Sequence, residues 1–455
     1  MQRRSFLKTS VLGAAALSGL NTAGLSSSLY AAGQEKIYRV GLIGAGWYGK
    51  NDLFRMLQVA NVEVAGICDV DSVMLERAID MTAVRQKSGA KPKGYGDFRE
   101  MLKAEPFDIV LVGTPDHWHA LAMIEAVKAG ADVYVQKPVG VDFVEGEAMV
   151  AAARKHDRIV QVGTQRRSTP HLLDAKKQII DEGLLGKISH VDVVCFYHMR
   201  ARQKPTTATP PANLNYEMWA GPAPMIPYQP IIHPRSWRAF KEYGNGIMGD
   251  MCVHFLDFVR YLLGLGWPKQ VSATGGIYVD KASVANIPDT QSALFTYDDL
   301  TINWTMRSWG AAADKDYPWG AIIYGDKGTL KMSVNSWDFI PVGGNGKPMR
   351  GTAVIEELTE HEKSEPDLEK PVTVATRAHH RNFVQSVQSR QLPVADILQG
   401  HISSATCILG NLAMDLGRTL TLDPQTGRPV GDEQTTKLLM RPYRAPWVHP
   451  TAEKF

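Results

Sequence analysis

The sequence predicts a two-domain protein: an α/β first domain on a doubly wound parallel sheet, then an α+β second domain on an open, mostly antiparallel sheet. Three observations lead there. Short apolar strands alternate with helical stretches up to about residue 165, and the apolar period shifts to two after about residue 185. The chain of 455 residues is also too long for one hydrophobic core.

In the first domain, strands are expected at 36–43, 62–68, 108–113, 132–135 and 159–163, with helices at 51–59, 74–81, 120–128 and 146–155 between them. Strands this apolar, each followed by a helix, are buried on both faces, as parallel strands are. In the second domain, 189–196 alternates with period two, and strands recur at 270–278, 292–297, 301–306, 321–324 and 329–332. Helices at 253–263, 382–389 and 403–416 flank that sheet. Residues 198–246 hold eight of the 26 prolines along with Tyr216, Trp219, Tyr228, Trp237 and Tyr243. A loop that long either carries function or braces the domains or a subunit contact.

Arg3-Arg4-Ser5-Phe6-Leu7-Lys8 precedes a weakly apolar run from Thr9 to Leu20 and a Ser- and Ala-rich stretch to Ala32. That is the layout of a twin-arginine export signal, and the apolar run is too short to span a bilayer. The expected organisation is a signal peptide over 1–32, a nucleotide-binding domain over 36–165, a substrate domain over 166–420 and an extension over 421–455. Export would place the protein in the periplasm or outside the cell; with no cysteine before Cys68, no lipid anchor is expected. The formal charge of +3 comes wholly from Arg3, Arg4 and Lys8, so the body is neutral and neither nucleic acid nor an anionic membrane is an expected partner. Cys68, Cys195, Cys252 and Cys407 are widely spaced, so neither a disulfide framework nor a zinc site is expected.

Chemistry enters at Gly44-Ala45-Gly46-Trp47-Tyr48-Gly49, which follows a strand and opens a helix. Gly44 permits the tight turn, Gly46 lets backbone approach a pyrophosphate, and Gly49 lets helix and strand pack closely. Asp69 ends the second strand 23 residues beyond Gly46, where a carboxylate accepts from the adenosine ribose. With Asp71 close by and no adjacent arginine, NAD is expected rather than NADP. Two further loops sit where strands end, at the edge where ligands of such sheets bind: Thr114-Pro115 with His119, expected to line the cofactor, and Gln136-Lys137-Pro138, whose lysine is either a cleft residue or a commonplace surface lysine. No metal is expected at His117-Trp118-His119, which lacks a third ligand in its flanks. Asp250 and His254 stand four residues apart on one helical face, a carboxylate–imidazole pair suited to a substrate hydroxyl, the alternative being a helix cap beside a core histidine.

These segments together resemble the Gfo/Idh/MocA family, named for glucose–fructose oxidoreductase, inositol dehydrogenase and a rhizopine-catabolism protein. The resemblance runs from 36 to about 420 and includes Tyr95-Gly96-Asp97, Gly163-Thr164-Gln165, and His379 with Asn382 and Phe383. It implies an interdomain cleft in which Lys137, Asp250 and His254 act on the substrate: His254 removes a hydroxyl proton, Lys137 holds the same oxygen, and Asp250 orients substrate or His254. Gln165 would join the cofactor set, with Trp47 and Tyr48 of the glycine loop. Sugars, polyols or their derivatives are the implied substrates, with Arg167, His233, Trp237 and Arg238 as the sugar-facing wall, and the open sheet implies a dimer or tetramer. Gln136 stands where the family commonly has Glu, and Cys252 where it has Gly. Trp219 to Pro224 matches the longer, exported branch. Exported with its dinucleotide, the enzyme would keep NAD resident, either oxidising and reducing sugars in turn or oxidising a hydroxyl transiently to eliminate a glycosidic group. A third class is a non-catalytic dinucleotide or carbohydrate binder, against which Lys137, Asp250 and His254 speak.

Overall fold

The structure, a computed structural model, describes residues 36–197, 202–344, 346–357, 359–363 and 372–455. The expected leader over 1–32 lies outside them. The first sheet comprises β1 Tyr38–Ile43, β2 Val62–Cys68, β3 Lys93–Tyr95, β4 Ile109–Val112, β5 Asp132–Val135 and β6 Val160–Val162. Its order is β3-β2-β1-β4-β5-β6, and every pairing is parallel. Helices α1 Trp47–Val59, α2 Ser72–Ala83, α3 Phe98–Ala104, α4 His119–Lys128 and α5 Phe143–Lys155 make the crossovers. Strand order reverses between β1 and β4, so the carboxyl ends of those strands open a crevice where ligands of such sheets bind.

The second domain holds helices α6 Pro170–Ala175, α7 Tyr216–Ala220, α8 Val253–Leu263, α9 Glu360–Lys363, α10 Thr373–Ser389, α11 Ile397–Leu416 and α12 Glu433–Leu438. Its strands are β7 Ile188–Cys195, β8 Gln270–Gly276, β9 Thr290–Thr296, β10 Thr301–Arg307, β11 Trp319–Gly325, β12 Gly328–Ser333, β13 Ser336–Pro341, β14 Met349–Thr352 and β15 Leu420–Thr421. They form one sheet in the order β14-β13-β12-β11-β7-β10-β9-β8-β15, antiparallel except where β7 meets β10. Ala293, Phe295, Ile302, Trp304, Ala321 and Ile323 face the buried core, while Leu294, Tyr324 and Ile340 stand exposed, as period-two alternation with one covered face requires.

The expected elements recur with earlier helix starts. Asp71, Asp142 and Asp396 cap α2, α5 and α11, accepting the amides of Val73 and Met74, Glu145, and Leu398. Polar first turns of this kind break the apolar period, so the sequence pattern starts late. Strands β3, β13, β14 and β15 and helices α3, α6, α7, α9 and α12 were not expected.

The far end of the chain returns to the first domain. Phe383, Val384 and Val387 of α10 complete the core made by Tyr38, Val40 and Leu53. His379 is buried between Ser168 Oγ at 2.8 Å and the Val162 carbonyl at 2.9 Å, a packing role. The extension after 421 is clamped down: Asp142 accepts from the Arg441 amide and from His449 Nε2, at 2.9 and 2.7 Å, and the Tyr443 hydroxyl reaches Glu145. Cys252 is buried with its thiol against that of Cys407, so the larger side chain at this family glycine position fills core space.

Arg167 ties the segment that follows β6 to α8. Its guanidinium binds Asp257 of α8 through two bonds, of 2.7 and 2.8 Å, with both side chains buried, and donates to the Val394 carbonyl at 3.0 Å. Ser403 of α11 donates to the same Asp257 carboxylate at 2.7 Å. Removing one member of a buried pair leaves an uncompensated charge, so Asp257→Ala is expected to cost about 3–5 kcal/mol. A urea unfolding midpoint close to wild type would contradict this.

Candidate active site

The carboxyl ends of β1, β2, β4, β5 and β6 and the second domain's α8 enclose a cavity of about 780 Å³. Its first wall is the glycine loop. Gly44 takes φ +90°, and a Cβ there would lie 2.7 Å from the Gly113 and Thr114 backbone. Gly49 sits behind the turn, where a Cβ would fall 1.9 Å from the Gly44 carbonyl oxygen, so it packs the turn and does not line the cavity. A Cβ on Gly46 would meet no protein atom within 4 Å, because that side faces the cavity. Asp69 receives the Ala45 amide at 2.7 Å and the Asp71 amide at 2.9 Å. Burial raises its carboxyl above the usual range, while those amides pull it down.

The long loop reaches across to this wall. Asp71 receives Asn213 Nδ2 and His233 Nε2, each at 2.8 Å, and the Asn213 carbonyl accepts the Ser72 amide at 2.9 Å. Arg235 lies over the Trp47 ring at 4.2 Å. The loop therefore braces the domains and walls the cavity at once. It also moves His233 from its expected place in a sugar-facing wall: bonded to Asp71, it stands beside the nucleotide wall.

The expected cofactor residues Gly44, Gly46, Trp47, Tyr48, Asp69, Thr114, Pro115, His119, Gln136, Lys137 and Gln165 all line the cavity. Gln136 Nε2 donates to Asp52 at 2.7 Å. A glutamate in its place would set two carboxylates against each other, which accounts for the departure from the family pattern. Buried His119 lies between the Pro138 carbonyl at 2.7 Å and the Thr114 carbonyl at 3.0 Å, and burial pushes its pKa down to about 4. The neutral ring thus donates to one carbonyl and fixes both strand-end loops. Thr114 Oγ1 and Gln165 Oε1 are buried without a hydrogen-bond partner, as expected of groups awaiting a ligand. Open space before Gly46, the amides opening α1 and these orphaned oxygens fit a dinucleotide.

At the other end, Lys137 Nζ donates to the Asp250 carboxylate at 2.5 Å and to the Asp250 carbonyl at 2.8 Å. Arg238, stacked on Trp237 at 4.1 Å, reaches the same carboxylate at 3.3 Å. Burial alone would raise the Asp250 carboxyl, but Lys137 and Arg238 hold it well below the usual carboxylate range. His254 packs against Trp319, and burial, with Lys137 and Arg166 facing it, keeps its imidazole neutral. Its Nδ1 has no hydrogen-bond partner.

Arg167 is absent from this wall because it is spent on Asp257; its neighbour Arg166 lines the cavity instead, over Trp319 at 5.2 Å. The 3₁₀ turn Gln165–Ser168 sends the two arginines in different directions. Trp319, Tyr197 and Asp116 also line the cavity and were not expected. Asp116 is buried, and burial pushes its carboxyl up to about 7 against the pull of Arg238 and Lys137. Among the described residues, the one His/Cys/Asp/Glu group with metal-ligand spacing is Asp142, Glu145 and His449, where Asp142 and Glu145 already accept protein donors.

The family model for the NAD-binding Rossmann domain of this oxidoreductase family matches residues 38–164, and that for its C-terminal α/β domain matches 172–336 and 342–449. The chain belongs to the Gfo/Idh/MocA oxidoreductase family and binds NAD through its first domain. It is 27% identical over 228 residues to a glycosyl hydrolase family 109 protein of Shewanella baltica, covering 45% of this chain and 48% of that one. It is 28% identical over 153 residues to an inositol 2-dehydrogenase/D-chiro-inositol 3-dehydrogenase of Lactiplantibacillus plantarum, covering 33% and 42%. The match thus spans about half the length of these curated relatives. An Agrobacterium radiobacter oxidoreductase solved with NAD+, L-tartaric acid and magnesium shares the fold, with TM-score 0.65 and 18% identity over 85% of this chain and 98% of that one.

Gly46→Ala is expected to fold with a stability within about 1 kcal/mol of wild type, since its methyl meets nothing in the protein. NADH binding, followed by fluorescence titration, should weaken about tenfold or more because the methyl occupies the pyrophosphate's approach. Unchanged affinity would place the dinucleotide elsewhere.

Proposed function

We propose that the chain oxidises a CH–OH group of a sugar, polyol or sugar derivative, with NAD as a resident group. The observation that carries this is the Lys137–Asp250 pair beside neutral His254, at the end of the cavity away from Asp69. When bound, the nicotinamide supplies the hydride acceptor. Asp250, ionised, fixes Lys137 Nζ with its carbonyl and carboxylate, so the remaining ammonium hydrogen points a charge-assisted bond at the substrate oxygen. His254, neutral, takes the hydroxyl proton. Trp237 and Trp319 give the cavity an aromatic lining, and Arg238 and Arg166, lying over those rings, offer donors to a sugar's hydroxyls or to a uronate.

The likeness to a dehydrogenase of inositols supports net oxidation. The likeness to a glycosyl hydrolase supports a second reading, in which oxidation is transient, the acidified neighbouring C–H is lost, a glycosidic group leaves and the ketone is reduced. Twin-arginine export of the folded, loaded enzyme to the periplasm favours either scheme that regenerates the cofactor in place, and the open sheet face would pair copies into a dimer or tetramer.

A panel of mono- and oligosaccharides, followed by both cofactor absorbance and released sugar, separates the readings. Absorbance change without release supports a dehydrogenase; release without net absorbance change supports the redox-neutral route. Lys137→Ala should lower kcat/KM for the responding sugar by about a hundredfold or more while NADH still binds. Full turnover by both Lys137→Ala and His254→Ala would overturn the assignment.

A further inference from the structure

Four charged side chains converge at the reactive end of the cavity. Lys137 and Asp250 bind each other directly, Arg238 bonds the same carboxylate, and Asp116 completes the group from the end of β4. Asp116 differs from Asp250 in its partners. Its residue is only 5% exposed and lines the cavity, yet among the described residues its carboxylate accepts no hydrogen bond from backbone or side chain. It caps no helix, since the turn Asp116–Trp118 starts from Pro115 with no side-chain cap. Gly244 closes over it, where a Cβ would come within 3.2 Å of Asp116 Oδ2. The charged groups facing it are Arg238 from the long loop, Lys137 from the end of β5, Asp250 from the turn before α8, and Arg441 from the extension.

A buried carboxyl without a protein donor, opening on a substrate cavity beside a lysine, is placed to exchange a proton. His254 is a poor resting place for one, because burial together with the facing Lys137 and Arg166 disfavours its cation. Two carboxyls in one site whose environments push them in opposite directions mark a division of acid and base work. Asp250 stays ionised to hold Lys137, whereas Asp116, pushed up to about 7, changes state near neutrality.

We propose that Asp116 is the proton-accepting residue of the site, receiving the proton released from the substrate hydroxyl during oxidation and returning it on reduction. This rests on the reading of the site as one that oxidises a hydroxyl. In that step the carbon's C–H bond breaks and its electron pair leaves as hydride to NAD+. The O–H bond breaks, C=O forms, and the proton leaves the oxygen held by Lys137 and comes to rest on the Asp116 carboxylate, which shares Lys137 and Asp250 as charged neighbours with His254. The carboxylate must be ionised to receive it, so kcat/KM for oxidation rises as pH rises through about 7 and falls away below, and reduction shows the opposite limb.

The test uses NAD+-loaded protein carrying 13C-labelled aspartate. Infrared difference spectra titrated across neutrality should show a protonated-carboxyl stretch that disappears as pH rises through about 7 and is missing in Asp116→Asn. The label leaves out Glu145, itself raised by burial to about 8. Asp116→Asn should still bind NADH with wild-type affinity. For any sugar that turns over, the variant should lower kcat/KM by on the order of a hundredfold and flatten the limb near 7, and Asp116→Glu should restore the limb. A wild-type spectrum without an Asp116-dependent band, or one that titrates below about pH 5, would make Asp116 a permanently ionised neighbour of Arg238 and overturn the proposal. The spectrum needs no substrate, so a failed sugar screen leaves this test intact.

Discussion

The Lys137–Asp250 ion pair is the contact on which the site depends, because it joins the end of a first-domain strand to the start of a second-domain helix inside the cavity. Neither partner is placed by its own local structure alone. Lys137 is carried to the cleft by β5 and Asp250 by the turn before α8, and their meeting fixes the distance between the nucleotide wall and the substrate wall. A buried pair of this kind gives little net stability relative to an apolar isostere, so its worth lies in orientation. It holds Lys137 Nζ by two bonds to Asp250 and leaves its third hydrogen outside that pair.

The surrounding architecture keeps that geometry in register. The Arg167–Asp257–Ser403 network pins α8 to the end of β6 and to α11. The loop segment bearing Asn213 and His233 latches onto Asp71, and Arg235 stacks on Trp47. These latches lie over the nucleotide end of the cleft, so a bound dinucleotide would be enclosed by elements of both domains. Enclosure of this kind accords with a cofactor that stays bound while substrates exchange at the Lys137 end.

Much of this was legible in the sequence where the signal is local. The glycine loop and Asp69 announce themselves through spacing, because the turn, the helix start and the strand end are consecutive. The parallel sheet followed from apolar strands alternating with helices. Short elements escaped: β3 has three residues and α3 seven, too few to show a period, and the capped first turns of α2, α5 and α11 are polar. Lys137, Asp250 and His254 were reached through family resemblance, since each alone reads equally as a surface lysine, a cap or a core histidine. Arg167 was misplaced for a reason no pattern displays, namely that a 3₁₀ turn splits neighbours and Asp257 claims one of them. Asp116 was passed over within a loop already singled out, because its chemistry comes from burial in the cleft, with Asp250 added and Arg238, Lys137 and Arg441 opposing, a setting that exists only after folding.

In the proposed function this cleft holds NAD as a resident group serving the Lys137 end. The most direct measurement is mass spectrometry of the small molecules released when the purified, freshly folded protein is denatured. Resident NAD, as proposed, would appear as NAD+ or NADH in near one-to-one ratio with protein, and would be lost in Gly46→Ala. Protein that purifies empty and binds added NADH no more tightly than the Gly46→Ala variant would contradict it.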